Sequence, residues 1–281
     1  MAHIECYDIG GTNLRGAVFD SETDRKIVEK TVKTKRSKSN FLKQLRDISK
    51  NLRSDISKNI SAVSIGVPGP VENNFLLKAP PMHLNKKIDF RKEAAFSEEI
   101  FVLNDMDAAV LAEKNFGRGK DLNSICLVTF STGIGAGTVI NGNLIPGGEY
   151  GHIVLERNGP KCSCGRRGCW TSFCSGYGIE LASGMKPENF FKQTDSKSKD
   201  LIKKIRDYNA QGFGNIINAV QVDKIFATGP IALNHFDKII PKKEEIKRYT
   251  VNKIPNIAPA ELGKEAGLLG AFVFGKNKVK E

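Results

Sequence analysis

The sequence predicts an α/β protein made of two related halves. Three observations carry this: apolar runs of strand type alternate with segments of helical period, a strand–glycine turn–strand unit occurs twice, and 281 residues suffice for two packed lobes. The first unit opens the chain. Ile4 to Ile9 reads as a strand, turns at Gly10-Gly11-Thr12 and resumes over Leu14 to Phe19. A helix comes next, with Phe41, Leu45, Ile48, Leu52 and Ile56 at helical spacing and basic residues between them. Ala62 to Val67 is a buried strand ending at Pro68-Gly69-Pro70. Ile100 to Leu103 is another, running into Asn104-Asp105 and a helix over Ala108 to Glu113. The second unit comprises Ser124 to Thr129, the turn Ser131-Thr132-Gly133-Ile134-Gly135-Ala136-Gly137, and Thr138 to Ile140. Its echo of the first suggests duplicated lobes facing one another. Ile202 to Val220 reads mostly as helix, interrupted at Gly212 and Gly214. Lys224 to Thr228 is a short strand ending at Gly229-Pro230, and Glu261 to Gly275 is an apolar closing helix rich in Gly and Ala.

An apolar share of 40% is ordinary for a globular protein. No apolar run approaches the ~18 residues of a membrane span. The N-terminus, Met1-Ala2-His3-Ile4-Glu5, has no basic stretch followed by a hydrophobic one, so a cytoplasmic protein without membrane partners is expected. The net charge of +12 raises a nucleic-acid reading. Lysines are nevertheless spread along the chain, and the basic helix lacks interleaved aromatics, so a solvated basic face is the better account. Such a field also attracts a multiply charged anion such as ATP.

In Asp8-Ile9-Gly10-Gly11-Thr12, small residues let backbone N–H groups approach phosphate oxygens, and Thr12 adds a hydroxyl. Asp8 could hold Mg²⁺ directly or through water. Alone, this motif is equally a plain glycine hairpin, and the same holds for Ser131 to Gly137. Neither is a Walker loop, and Gly133-x-Gly135-x-Gly137 lacks the dinucleotide spacing. Asn104-Asp105 ends a strand, on the rim where open α/β sheets bind ligands. A carboxylate there can take the proton of an attacking hydroxyl. By itself the motif favours a helix cap, with Asp105 or Asp107 capping the helix over Ala108 to Glu113. Cys162-Ser163-Cys164-Gly165-Arg166-Arg167-Gly168-Cys169, with His152 ten residues upstream, is the strongest feature. Three thiolates and an imidazole complete a tetrahedral zinc site of the closed, structural kind. Cys6, Cys126 and Cys174 read as core thiols, and His3, His83 and His235 have no partners in sequence.

With these pieces in order, the chain resembles the ROK family of sugar kinases and sugar-responsive repressors. The matching pieces are Asp8 to Thr12, Gly66-Val67-Pro68-Gly69-Pro70-Val71, Asn104-Asp105-x-x-Ala108, Ser131 to Gly135, and Gly147-Gly148-Glu149-Tyr150-Gly151-His152. The zinc cluster, Ala227-Thr228-Gly229-Pro230 and Gly263-x-x-Ala266-Gly267-Leu268-x-Gly270-Ala271 complete the set. The resemblance implies the actin-like, ribonuclease H-like ATPase fold, with two lobes around a cleft. Residues 1–106 plus 268–281 would form one lobe, and 107–267 the other, which carries the zinc.

It further implies that Asp105 is the base that deprotonates a sugar's 6-hydroxyl. Gly69, Asn104, Glu149, His152 and Thr171 would line the sugar site. Asp8, Gly10, Gly11, Thr12, Asn13, Thr132, Gly133, Gly135 and Gly229 would serve the nucleotide, with ATP, Mg²⁺ and structural Zn²⁺ as cofactors. His152 would bind zinc through one ring nitrogen and sugar through the other. The partners implied are a sugar, ATP and a second copy of the chain.

Four positions depart from the family pattern. Thr171 stands where a sugar-contacting Glu is usual, which leans towards a bulkier C2 substituent, as in an N-acetylhexosamine such as N-acetylmannosamine; a glucokinase or broad hexokinase is the alternative. Pro80-Pro81 stands for Pro-Asn, Asp107 for Asn and Ser131 for Gly. A repressor of this family carries a DNA-binding segment ahead of the first turn, where this sequence has seven residues before Asp8, so an enzyme is expected over a repressor. A catalytically silent sugar sensor is the rival from another class.

Overall fold

The opening apolar run forms β1 (His3–Ile9), which turns back antiparallel as β2 (Asn13–Asp20), with Asp8 opposite Arg15. The computed structural model describes residues 3–56, 59–79 and 82–280. An additional strand, β3 (Lys26–Lys33), pairs with the outer side of β2. Its Lys26, Glu29, Lys30 and Lys33 give it the composition of a surface segment, which hides it from hydrophobic periodicity. On an edge strand such charges discourage further pairing.

α1 (Lys38–Arg53) starts at Ser37, whose Oγ accepts from the Asn40 N–H at 3.4 Å. Phe41, Leu45, Ile48 and Leu52 are buried as the spacing predicts, against Tyr7, Leu14, Val18 and Ile65 of the sheet. Ile56 lies beyond the helix end but still packs on this core. β4 (Ile60–Val67) pairs parallel with β1, and its almost continuous burial explains its unbroken apolar sequence. A small sheet of β5 (Val71–Glu72), β6 (Phe75–Leu76) and β7 (Ile88–Asp89) comes after it. Its first hairpin turns on Asn73-Asn74, both at positive φ, as a two-residue turn requires. The short helix α2 (Phe90–Ala94) leads to β8 (Glu99–Asn104), which joins β4 in parallel, and then to α3 (Asp105–Phe116). The sheet order is β3-β2-β1-β4-β8.

The second half repeats this frame. β9 (Ile125–Phe130) and β10 (Ile134–Ile140) form the second glycine hairpin, and β11 (Asn143–Ile145) extends it antiparallel. Helices α4 (Thr171–Cys174), α5 (Gly176–Ser183), α6 (Pro187–Phe190) and α7 (Ser196–Ala219) come next. The chain continues through β12 (Lys224–Thr228), α8 (Gly229–Asn234), α9 (Phe236–Ile239), α10 (Lys243–Ile246) and β13 (Asn256–Pro259). The order β11-β10-β9-β12-β13 has the same succession of two antiparallel and two parallel pairings as the first sheet.

α7 is continuous through Gly212 and Gly214, a correction to the interrupted helix read from sequence. The reason is tertiary: a side chain at Gly212 would meet the Trp170 ring at 2.3 Å, and one at Gly214 would meet Tyr249 Cβ at 2.5 Å. Trp170 is the centre of this core, edge-on to Phe130 at 5.7 Å and to Phe213 at 5.4 Å, with its Nε1–H donated to Asn209 Oδ1 at 2.7 Å.

The closing helix α11 (Ala266–Lys280) starts later than its apolar sequence suggests, after a 3₁₀ turn at Gly263–Glu265. Its Phe272 stacks on Phe19 at 4.7 Å, and Glu265 takes ion pairs from Arg15 at 2.7 Å and Lys26 at 2.9 Å. The chain thus divides into two units, Met1–Gly117 with Lys264–Glu281, and Arg118–Gly263. The division anticipated at 106/107 and 267/268 is drawn by these contacts at 117/118 and 263/264, because α3 packs on α11. Among the described residues, no helix is long and apolar enough to cross a membrane.

Candidate functional site

In the first unit the chemistry gathers at the C-terminal ends of β1, β4 and β8. Asp8 is in register with Gly66, and Val67 with Asn104, so Asp8, Pro68-Gly69 and Asn104-Asp105 leave the sheet along one rim. The first glycine turn is held from three directions. Gly10 N–H donates to Asn13 O at 2.9 Å, Thr34 Oγ1–H to Gly10 O at 2.7 Å, and Thr34 N–H to Thr12 O at 2.9 Å. Thr12 and Asn13 are exposed, and Gly10 and Gly11 half-buried.

The Asp8 carboxylate packs against Gly267, where a side chain would meet its oxygens at 2.4 and 2.6 Å. Burial pushes the Asp8 carboxyl up to about 6; Arg15 pulls it down, and Glu265 and Glu29 raise it further. A carboxyl raised by burial is a group that a cation would return to its charged form.

Asn104, not Asp105 or Asp107, is the cap of α3: its Oδ1 accepts from the Met106 N–H at 2.8 Å. Its Nδ2 donates to Gly69 O at 2.9 Å, which ties the Pro-Gly-Pro turn to the cap. Gly69 has φ +123°, and a side chain there would meet Lys78 O at 2.2 Å, so the turn demands glycine. With Asn104 as the cap, Asp105 is the first helical residue, half-buried, one position beyond the strand end, whereas Asp107 is buried. Pro80-Pro81 lies outside the described residues.

In the second unit the turn Ser131–Gly133 leaves Thr132 exposed and Gly133 and Gly135 half-buried. Gly229, with φ +85°, opens α8 directly against it: a side chain there would meet Phe130 O at 2.5 Å and Thr129 Oγ1 at 2.6 Å. A pocket of ≈ 270 Å³ adjoins both, lined by Ser131, Thr132, Tyr177, Pro230, Ile231 and His235 among others. His235, which has no partner in sequence, stacks on Phe191 at 4.0 Å and forms part of this wall. Burial and Lys238 lower its pKa, favouring the neutral ring. Only packing of α5, α6 and α8 assembles this pocket, so sequence reasoning missed it. A larger hollow of ≈ 620 Å³, lined by Arg206 and Lys242 among others, contains none of the anticipated site residues.

Glu149 is exposed, and its carbonyl accepts from the His152 N–H at 3.0 Å, closing the 3₁₀ turn Tyr150–His152. Thr171 opens α4 and is 3% exposed; its Oγ1 accepts from the Ile134 N–H at 3.2 Å.

His152, Cys162, Cys164 and Cys169 come together, with all four donor atoms within 4.8 Å of one another. His152 Nδ1 lies 3.5 Å from Cys162 Sγ, and Cys164 Sγ 3.7 Å from Cys169 Sγ. A tetrahedron with Zn–S of about 2.3 Å and Zn–N of about 2.0 Å has edges of about 3.5 Å (N···S) and about 3.8 Å (S···S), so the donor set fits a closed structural zinc site. Because Nδ1 faces the cluster, Nε2 points to the opposite side of the ring. Burial would raise the Cys164 thiol, but hydrogen bonds from Arg166 and the neighbouring sulfurs outweigh it and bring it to about 7. Burial and its hydrogen bond to Cys164 push Cys169 up to about 12.

A family model described as ROK family matches residues 4–278. The chain belongs to the ROK family. Relatives within it differ in kind. The xylose repressor of Bacillus spizizenii is 29% identical over 226 residues, covering 74% of this chain but only 59% of the repressor. The N-acetylmannosamine kinase of Haemophilus influenzae is 26% identical over 288 residues, covering 96% of this chain and 94% of the kinase. Among solved structures, the ROK hexokinase of Thermus thermophilus matches with a TM-score of 0.87 at 26% identity, covering 99% of both chains. This ROK protein therefore has the actin-like, ribonuclease H-like ATPase fold in two lobes that the ROK sugar kinases share.

Proposed function

We propose that this ROK protein is an ATP-dependent sugar kinase that transfers a phosphoryl group to the 6-hydroxyl of a hexose-type sugar. The observation that carries the reading is the shared rim at the ends of β1, β4 and β8, where Asp105 directly follows the Asn104 cap that is tied to the Gly69 turn. In this reading Asp105 accepts the proton of the sugar hydroxyl as its oxygen attacks the γ-phosphorus and ADP departs. Asn104 and Gly69 orient the sugar, with Glu149 and the Nε2 side of His152 holding ring hydroxyls. The zinc cluster fixes His152 and has no part in the chemistry.

Backbone groups of Gly10–Asn13 and of Thr132, Gly133 and Gly135 hold the phosphates, and the Gly229 turn and its pocket take the adenosine. Asp8 would hold Mg²⁺, whose charge offsets that of the phosphates.

The sugar we propose is an N-acetylhexosamine such as N-acetylmannosamine. A relative of that activity aligned over nearly its whole length supports it. Glucose is the second reading, favoured by the likeness to a hexokinase. The test is a panel of N-acetylmannosamine, N-acetylglucosamine, mannose and glucose with ATP and Mg²⁺, monitored by ADP release and sugar-phosphate mass. Phosphorylation at O6 of one of them is expected. Binding of a sugar without any transfer would make the protein a sensor instead.

A further inference from the structure

The second glycine turn is fastened by the stretch of chain that leaves the metal cluster. Three hydrogen bonds do this. Ile134 N–H donates to Thr171 Oγ1 at 3.2 Å, Gly176 N–H to Ser131 O at 2.8 Å, and Tyr177 N–H to Thr132 O at 3.1 Å. The last two come from the first turn of α5, whose N–H groups have no partner inside the helix. The first is the only one of the three made by a side chain, two residues after Cys169.

Thr171 has no slack. It is 3% exposed, its carbonyl accepts from Ser175 Oγ at 2.6 Å, and its Oγ1 lies 2.9 Å from where a side chain on Gly151 would begin. Gly151 itself sits so close to Ile134 that a Cβ would meet Ile134 O at 1.9 Å. Thr171 is therefore wedged between the Gly147–His152 loop and the turn, with its single hydroxyl already accepting from backbone.

We infer that Thr171 is a positioning residue of the nucleotide's phosphate turn, not a sugar contact: its hydroxyl holds Ile134 and thereby sets the shape of Thr132–Gly135. The inference rests on reading that turn as a phosphate site. It gives the metal cluster a second task, since the segment anchored by Cys169 then registers the turn as well as His152. An acceptor withdrawn from the buried Ile134 N–H leaves a desolvated donor behind, and a turn that shifts to satisfy it is expected to lose about tenfold in ligand affinity.

The test uses Thr171→Val, which keeps the shape and removes the acceptor, and Thr171→Ser, which keeps the acceptor. MgADP affinity by calorimetry, KM for ATP, KM for the sugar found by the panel, and Tm are read for each. Thr171→Val is expected to weaken MgADP binding and raise KM for ATP about tenfold with the sugar KM within about twofold, and Thr171→Ser to restore both to within about threefold. A shift in the sugar KM with MgADP affinity unchanged, or equal weakening of both ligands with a collapsed Tm, would overturn the inference. So would no change in either. Should the wild type bind MgADP yet phosphorylate no sugar, the kinase reading fails while the MgADP comparison still decides this one; a wild type that does not bind MgADP overturns both.

Discussion

The two glycine turns sit in the same place on sheets of the same order, yet they are built from different chemistry. In the first, the strand delivers Asp8, whose carboxylate packs against Gly267 at the start of α11. In the second, the strand delivers Thr129, whose hydroxyl packs against Gly229 at the start of α8. One turn is pinned by Thr34, the residue after the edge strand, the other by the segment that follows Cys169, through Thr171, Gly176 and Tyr177. A duplicated frame thus carries a charged half suited to a cation and an uncharged half suited to backbone contacts. The anchoring, more than the turn sequence, is where the halves have specialised.

That contrast can be broken in four ways. The largest effect is expected from Cys164→Ser. It should release zinc and lower the Tm by about 10 °C or more, since structural zinc supplies ~10–16 kcal/mol in small zinc-dependent folds and even a fraction of that is large for a unit of this size. Unchanged metal content would contradict the ligand set.

Asp8→Asn should cost about 10²-fold in kcat/KM, in keeping with the loss of one preorganised charge interaction. The wild type should also lose activity as pH falls through about 6, because the carboxyl is then protonated and cannot hold a cation. Stability runs the other way. The folded pKa lies above the ordinary 3.8, so ionising Asp8 opposes folding; the cost is absent below about pH 4 and complete above about pH 6. Asp8→Asn should therefore have the higher Tm at about pH 7 and match the wild type at about pH 3.5. A Tm gain at both pH values would separate the effect from ionisation.

Gly212→Ala comes next. Its methyl would strike Trp170, the neighbour of Thr171, and should destabilise by about 1–3 kcal/mol and weaken MgADP binding modestly. The smallest effect belongs to Thr129→Val, within about threefold in kcat/KM, because the second turn needs no charge there. A loss equal to that of Asp8→Asn would make the two halves equivalent after all.

Local chemistry was legible in the sequence where one residue type admits few explanations. The three cysteines and His152 converge as their spacing implied, and both hairpins form where glycines interrupt apolar runs. What escaped depends on distant partners. Gly212 and Gly214 look like helix breaks until Trp170 and Tyr249 are seen lying on them. β3 carries three lysines and a glutamate because it is an edge. Spacing alone could not choose among Asn104, Asp105 and Asp107 as the cap, since each is a good capping residue; the bond from Met106 N–H decides it. The burial of Thr171 depends on the Gly147–His152 loop and the second turn, and the wall provided by His235 on the packing of short helices, so no local pattern could announce them.

The most direct test is turnover by Asp105→Asn measured beside its sugar affinity. Near-wild-type sugar binding with kcat reduced about 10²–10⁴-fold is the predicted result, the range a general base supplies. A kcat close to that of the wild type would show that the proton leaves by another route and that the rim of β8 is not where the chemistry happens.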